Sequence, residues 1–420
     1  RESDMKASAR SPNYPTKYKI LIIGAGIGGL SAAISLLQAG HEVHVLEQTE
    51  EFAEVGAGVQ LSANATRILR AQGVLDAVMA QAVAPSAAIT RLYNSGAQLL
   101  RVPLGWIHRL AFGAPYLHIY RPDLHQVLEV KVRELSPAAI MLGATVQSVA
   151  EQADGVTVQL ANGSFVSADL LIGADGIKSV VRQHIQSGGA STSTMPAEPS
   201  YTGNVAWRAV VPSSRLPKHF MDKVVSVFVG PGKHIVIYYL RNQQLINLVG
   251  VVETATHWPY ESWQQKAPWS ELKADFEGWH PTVQTLLDAV DHDACYRWAL
   301  YERPPLNNWS TPRATLLGDA AHPMLPFLAQ GAGMAIEDAC VLDRALQQST
   351  SPAAALKCYQ RNRMGRTQTI QQRATDNATL FHLPTEQALR REFRQAMFSR
   401  QARATMLALY RYNALTVKLL

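Results

Sequence analysis

The chain has 420 residues, 47% of them hydrophobic, and a formal net charge of +6, enough apolar material to bury one large core or two coupled ones. Only Cys295, Cys340 and Cys358 occur, widely spaced and without CxxC or metal-ligand patterns, which excludes a disulfide framework and a cysteine metal site and points to a reducing, cytoplasmic compartment. No apolar stretch is long enough to span a bilayer.

Residues 1–17 are polar and contain Pro and Ser, and Arg1-Glu-Ser-Asp before Met5 reads as a flexible extension or tag remnant; no signal-peptide core follows. Ile20-Leu-Ile-Ile23 is a continuous apolar run suited to a strand buried on both faces. Gly24-Ala-Gly-Ile-Gly-Gly29 follows, then a helical pattern from Ile27 to Ala39, then a second strand pattern, Val43 to Glu47. Glycines at that turn permit close approach of a pyrophosphate to a helix N-terminus, and an acid after the next strand can accept from a ribose diol. The bland alternative is a glycine turn of any α/β protein; strand, loop, helix, strand and acid in this order argue against it. Ser187 to Ser200 is rich in Ser, Gly, Pro and Thr and reads as a loop. From Thr202 to Val252, alternating and β-branched segments predict a sheet. Leu317-Gly-Asp-Ala-Ala-His-Pro323 and Gln330-Gly-Ala-Gly-Met334 come next. A Gly-Asp loop so far from the first glycine loop implies a long cofactor held at both ends, which narrows the choice to FAD. Beyond Pro352 the pattern is helical, with a break at Leu383-Pro384. Twelve Lys/Arg against three Asp/Glu from Lys357 onward place +9 in this tail. Its arginines are scattered without a nucleic-acid motif and read as a solvated helical face or an oligomer contact, so no nucleic-acid partner is expected.

Gly24–Gly29 with Glu47, Asp169-Leu-Leu-Ile-Gly-Ala-Asp-Gly-Ile-Lys-Ser179 with Arg182, and Gly318-Asp319 together resemble the flavoprotein aromatic hydroxylases, from about Tyr18 to Leu346. Salicylate, 3-hydroxybenzoate and 6-hydroxynicotinate hydroxylases are the branches concerned. The resemblance implies an α/β (α+β) fold: a glutathione-reductase-type Rossmann FAD-binding domain, an inserted, mainly β-sheet substrate domain and a C-terminal helical region. The expected division is 18–195 and 291–350 for the FAD-binding domain, 196–290 for the substrate sheet and 351–420 for the helices. It implies FAD contacts at Gly24, Gly26, Gly29, Glu47, Gln48, Gly58 and Val59 (within the loop Glu54 to Ser62), Arg121, Val146, Asp175, Gly318 and Asp319. Amides of the Gly331, Ala332, Gly333 and Met334 helix start suit negative charge on a reduced flavin. No second glycine-rich βαβ unit is present, so NADH or NADPH is expected to bind transiently, with O2 as the other co-substrate. No metal is required.

In such hydroxylases reduced flavin and O2 give an electrophilic C4a-hydroperoxide, and a phenol attacks it well only as phenolate. A base is therefore needed. His234 and Tyr238 lie four residues apart on a predicted strand and share one face. An imidazole with an unperturbed pKa of about 6.5 can take a phenolic proton near neutral pH. His-x-x-x-Tyr here resembles the catalytic pair of 3-hydroxybenzoate and 6-hydroxynicotinate hydroxylases; the bland alternative is a histidine capping a sheet edge. Pro326 matches a proline that related enzymes place beside substrate, and is otherwise a rigid turn. His322 is read as shaping the Gly-Asp loop. Gln60 and Phe327 depart from the hydroxynicotinate pattern, and Arg208 and Arg241 are candidate carboxylate anchors. The expected reaction is hydroxylation of a hydroxylated aromatic carboxylate by a monomer or homodimer. The alternative is the same scaffold, as monooxygenase or epoxidase, acting on a urate-like heterocycle, a quinolone or another phenolic natural product.

Overall fold

A computed structural model describes residues 17–52, 56–188, 198–254 and 264–420. The N-terminal extension up to residue 16, Glu54 and Val55 of the expected flavin loop, and residues 189–197 of the expected inter-domain loop lie outside the described residues.

A five-stranded parallel sheet runs in the order Ala314–Leu316, Leu170–Gly173, Lys19–Ile23, Glu42–Leu46, Ile140–Met141. The central strand is apolar without alternation because both faces are covered; Ile20, Leu21 and Ile22 are fully buried. The helix Ile27–Gln38 packs against Gly331–Gln348 and Arg121–Leu135. Thus the first glycine loop and the helix that follows the Gly-Asp motif, some three hundred residues apart, meet in one layer. A small antiparallel sheet, Val146–Gln152, Gly155–Leu160 and Phe165–Ala168, completes this part.

The second sheet has eight strands, ordered Gln264–Lys266, Tyr296–Glu302, Ser200–Pro212, Leu245–Glu253, Lys233–Leu240, Val225–Gly230, Ala87–Leu92, Gln98–Pro103. Two of its strands come from before residue 104. The expected boundary at 290 needs correction: Tyr296–Glu302 pairs antiparallel with Ser200–Pro212 in this sheet, and the cofactor fold resumes only at Ala314–Leu316. Alternation decides the faces. Trp207, Ile235, Ile237 and Phe228 point into a core with the helices Trp269–Asp275 and Pro281–Asp288. Ala206, Val251, His234 and Tyr238 line the opposite face, against Phe327 and the strand Gly58–Leu61.

The expected helical tail is present as Pro352–Phe381, Glu386–Phe398 and Arg400–Arg411, broken around Pro384 as the sequence suggests. Its charge is partly misread by the solvated-face expectation. Arg363 is fully buried between Glu337 and Asp338, with N···O distances of 2.9 and 2.6 Å, and Arg366 joins Glu337 at 2.6 Å. Removing one member of such a network strands a buried charge, at a cost of about 3–5 kcal/mol. No helix among the described residues is long and apolar enough to cross a membrane.

Candidate functional site

The glycine loop is shaped by contacts that exclude side chains. Gly24 has φ +100, and a Cβ there would lie 2.3 Å from the Ala174 carbonyl oxygen; a Cβ on Gly29 would lie 2.0 Å from the Gly24 oxygen. Glu47 follows its strand and accepts from the Ala25 amide at 2.8 Å and the Thr49 amide at 3.0 Å. Each carboxylate oxygen keeps a second acceptor site for a hydroxyl. Gln48 beside it is exposed. A Cβ on Gly26 or on Gly331 would meet no protein atom within 4 Å, so two helix N-termini open onto clear space. This is the arrangement that a phosphate and a flavin ring require, and the residues present fit FAD.

The Gly-Asp loop is fixed from behind. Asp338 accepts from the Gly318 amide at 3.0 Å and pairs with His322 at 2.5 Å. Burial pushes the Asp338 carboxyl upward, but His322 and Arg363 together hold it below the usual range. His322 therefore shapes the loop, as expected, while Asp319 stays exposed in front.

Four expected residues have structural contacts of their own. Asp175 accepts from the Ser179 hydroxyl and from the Val180 and Val181 amides at 2.9 and 3.4 Å, capping the helix Val180–Gln186. Its carboxylate is a structural cap because the loop turns it inward, where burial raises its pKa. The Met334 amide donates to the Gln330 carbonyl at 2.8 Å, and its side chain packs with Ile370 and Leu409. Only Gly331, Ala332 and Gly333 supply amides that the helix itself does not use. Pro326 is exposed and opens a 3-10 turn, and its carbonyl already accepts from Ala329 at 3.0 Å. Val146 is a buried strand residue paired with Leu160, so its side chain belongs to the core.

Across from the glycine loops, the face of the eight-stranded sheet carries the expected pair. His234 and Tyr238 are both buried. Tyr238 fits because Gly58 has no side chain: a Cβ there would lie 2.6 Å from the phenol oxygen. The Gly58 amide donates to Asn247 Oδ1 at 2.8 Å, tying the flavin-loop strand, with Val59 buried beside it, to the sheet. Burial raises the Tyr238 pKa despite Arg208 and Arg121 nearby, so the hydroxyl remains a donor. His118, which the sequence reading missed, lies with its ring centroid 4.2 Å from that of Tyr238, tilted by 40°; burial lowers its pKa to about 3. Arg121 begins the helix Arg121–Leu135 and is exposed.

His234 is enclosed by the Phe327 and Phe381 rings, with centroids at 5.2 and 5.1 Å. Burial, reinforced by His382, holds its pKa well below the ordinary value, so the imidazole is neutral. Its Nδ1 lies 2.7 Å from His382 Nε2, and His382 Nδ1 lies 2.9 Å from Glu253 Oε1. His382 and Glu253 carried no local sequence signal, although His382 caps a helix just before Pro384.

Of the two candidate anchors, Arg241 is consumed by Asp123, at 2.8 and 3.1 Å. Arg208 lies on the His234 face, 5.0 Å over the Trp298 ring, and among the described residues its Nε has no hydrogen-bond partner. Burial, with Arg121 close, lowers its pKa to about 10, leaving it charged at neutral pH. Gln60 accepts from the Tyr116 hydroxyl at 2.7 Å. A cleft of about 880 Å³ lies beside Pro323–Leu325 and the helix Pro352–Phe381; neither His234 nor Tyr238 lines it. Among the described residues no cluster of metal-ligating side chains occurs.

A family profile described as an FAD binding domain matches residues 17–374. The 3-amino-4-hydroxybenzoate 2-monooxygenase PtmB3 of Streptomyces platensis is 37% identical over 367 residues, covering 87% of this chain and 89% of its own. The 6-hydroxynicotinate 3-monooxygenase of Bordetella bronchiseptica is 36% identical over 379 residues, covering 87% and 92%. Among solved structures, Klebsiella pneumoniae HpxO complexed with FAD and uric acid superposes with a TM-score of 0.81 at 25% identity, over 94% of this chain and 96% of that one.

Proposed function

The chain belongs to the FAD-binding aromatic hydroxylases, and on that premise we propose that it hydroxylates a hydroxylated aromatic carboxylate, with His234 as the base that ionises the phenol. It is an FAD-dependent monooxygenase that uses O2 with a reduced pyridine nucleotide. The observation that carries the substrate reading is the face shared by His234, Tyr238 and Arg208: a neutral imidazole, a neutral phenol donor and a half-buried cation.

Bound FAD supplies the activated oxygen. The chain's own residues do the rest. His234 takes the phenolic proton, which pushes electron density onto the ring carbons ortho and para to the oxygen. Tyr238 donates a hydrogen bond to a substrate oxygen. Arg208 gives a substrate carboxylate the counter-charge that aligns the ring. Phe327 and Phe381 keep water from the imidazole. The Gly331, Ala332 and Gly333 amides stabilise negative charge at the helix N-terminus.

Relatives acting on 3-amino-4-hydroxybenzoate and 6-hydroxynicotinate support a hydroxyaryl carboxylate. A second reading, a urate-like heterocycle, is favoured by HpxO with its bound uric acid. The test is NADH and NADPH oxidation by the FAD-loaded protein with 3-amino-4-hydroxybenzoate, 3-hydroxybenzoate, 6-hydroxynicotinate, salicylate and urate. We expect at least one hydroxyaryl carboxylate to stimulate oxidation and to yield a product that has gained one oxygen. Stimulation by urate alone would replace the substrate class.

A further inference from the structure

We propose that His382 and Glu253 form a proton path that connects His234 to solvent and fixes which nitrogen of His234 acts as base. The inference rests on the reading of His234 as base and extends it to two residues remote in sequence.

The geometry is a continuous chain. His234 Nδ1 stands 2.7 Å from His382 Nε2, and His382 Nδ1 stands 2.9 Å from Glu253 Oε1. Both histidines are almost fully buried, whereas the Glu253 side chain is 55% exposed. The backbone supports the chain as well: the Gly232 amide donates to the His382 carbonyl at 3.2 Å, and the Glu253 amide to the Gly232 carbonyl at 2.9 Å. A helix C-terminus, a hairpin and a strand end are thereby fixed together.

Proton inventory sets the direction. A carboxylate only accepts, so His382 Nδ1 must be the donor to Glu253. In a neutral His382 the Nε2 atom is then an acceptor, and His234 Nδ1 must donate to it. That leaves the Nε2 lone pair of His234 for the substrate. When a phenol gives its proton to Nε2, the Nδ1 proton passes to His382 Nε2, and the His382 Nδ1 proton passes to Glu253 and on to water. One proton enters and one leaves, no group is oxidised or reduced, and no imidazolium is left in the apolar surroundings. The reverse transfer resets the tautomers when the product oxygen regains its proton.

Burial gives the chain its purpose, because both imidazoles are disfavoured as cations there. An isolated His234 would have to hold the phenolic proton as a buried charge. The titratable groups facing His382 are His234 from its strand and Glu253 from the adjoining strand. The 3-10 turn and the helix Pro352–Phe381 present the uncharged rings of Phe327 and Phe381. Lys233 turns to the other side of the sheet, where its Nζ meets the Asp275 carbonyl.

The experiment uses FAD-loaded protein, with 3-amino-4-hydroxybenzoate, 3-hydroxybenzoate and 6-hydroxynicotinate as probes. Rapid mixing with a pH indicator reads proton release, absorbance reads phenolate formation, and ¹⁵N NMR of the histidines reads the tautomers. Glu253→Gln changes an exposed residue and is expected to fold; it should slow proton release about tenfold, with probe affinity within about twofold of the parent. Glu253→Asp should restore release to within about threefold, a rescue that a structural role would not produce. His382→Phe should slow release about 100-fold. In the parent protein the NMR signals should place the His234 proton on Nδ1. Parent-like release in Glu253→Gln and His382→Phe, with release abolished in His234→Ala, would overturn the path and leave His234 as base. If His234→Ala also releases protons normally, or none of the probes ionises on binding, the base reading fails and the path with it.

Discussion

His234→Ala lowers kcat/KM for the aromatic substrate by about 100-fold or more, the range of a lost general base, equivalent to about 2.7 kcal/mol of barrier. FAD affinity stays within about twofold, because the cofactor loops lie on other elements, a distinction the kinetic and binding readouts of variant enzymes can separate. The expectation comes from burial and geometry together. His234 is neutral because burial opposes its charge, and the Phe327 and Phe381 rings enclose it. Its folded pKa is depressed, so the basic form persists as pH falls through the ordinary value of about 6.5. The acid limb of the kcat/KM profile therefore lies below that value, unless a substrate group titrates first. Stopped-flow and steady-state assays across pH 5 to 9, a span of about four units around the imidazole value, check both statements. A variant retaining parent-like turnover would remove His234 from the reaction.

Gly29→Ala abolishes FAD binding. The added Cβ would lie 2.0 Å from the Gly24 oxygen and 3.1 Å from its carbonyl carbon, contacts that only backbone displacement can relieve. Gly24 in turn is held by its amide hydrogen bond to Leu46 at 2.8 Å and sits against Ala174. The strain therefore spreads to both neighbouring strands of the parallel sheet rather than to a flexible side chain. Helix Ile27–Gln38 must tilt or the loop must open, and either change moves the amides away from the pyrophosphate. Purified variant protein is expected to be colourless, with a loss of FAD affinity of at least about 100-fold, or roughly 2.7 kcal/mol. Retention of yellow colour at parent stoichiometry would contradict the assignment of this loop.

The strand, glycine loop and helix were legible because each depends on neighbours in sequence: the apolar run, the glycine spacing and the acid after the second strand. His234 and Tyr238 were legible as a pair for the same reason, since strand alternation alone puts them on one face. What sequence could not show was which partner each side chain meets. His382 lies 148 residues from His234, and Glu253 lies 129 residues from His382. No local period links them. Arg363 read as part of a solvated basic face because its partners Glu337 and Asp338 belong to another helix. Asp175 and Met334 sat in motifs whose backbone fits a cofactor, while hydrogen bonding and packing turn the Asp175 carboxylate and the Met334 amide and side chain to structural ends. The strand Tyr296–Glu302 crossed the expected domain boundary because sheet membership follows its partner Ser200–Pro212 rather than chain position.

The most direct measurement is product mass spectrometry after turnover of FAD-loaded protein with NADH or NADPH under ¹⁸O2, using the hydroxyaryl carboxylate that best stimulates nucleotide oxidation. The account predicts a product bearing one ¹⁸O atom on the ring, formed by the parent protein and nearly lost with His234→Ala. Loss of CO2 in the same step would mark attack at the carboxylate-bearing carbon. Nucleotide oxidation that yields only hydrogen peroxide with every hydroxyaryl carboxylate, or an ¹⁸O product that His234→Ala makes as fast as the parent, would contradict it.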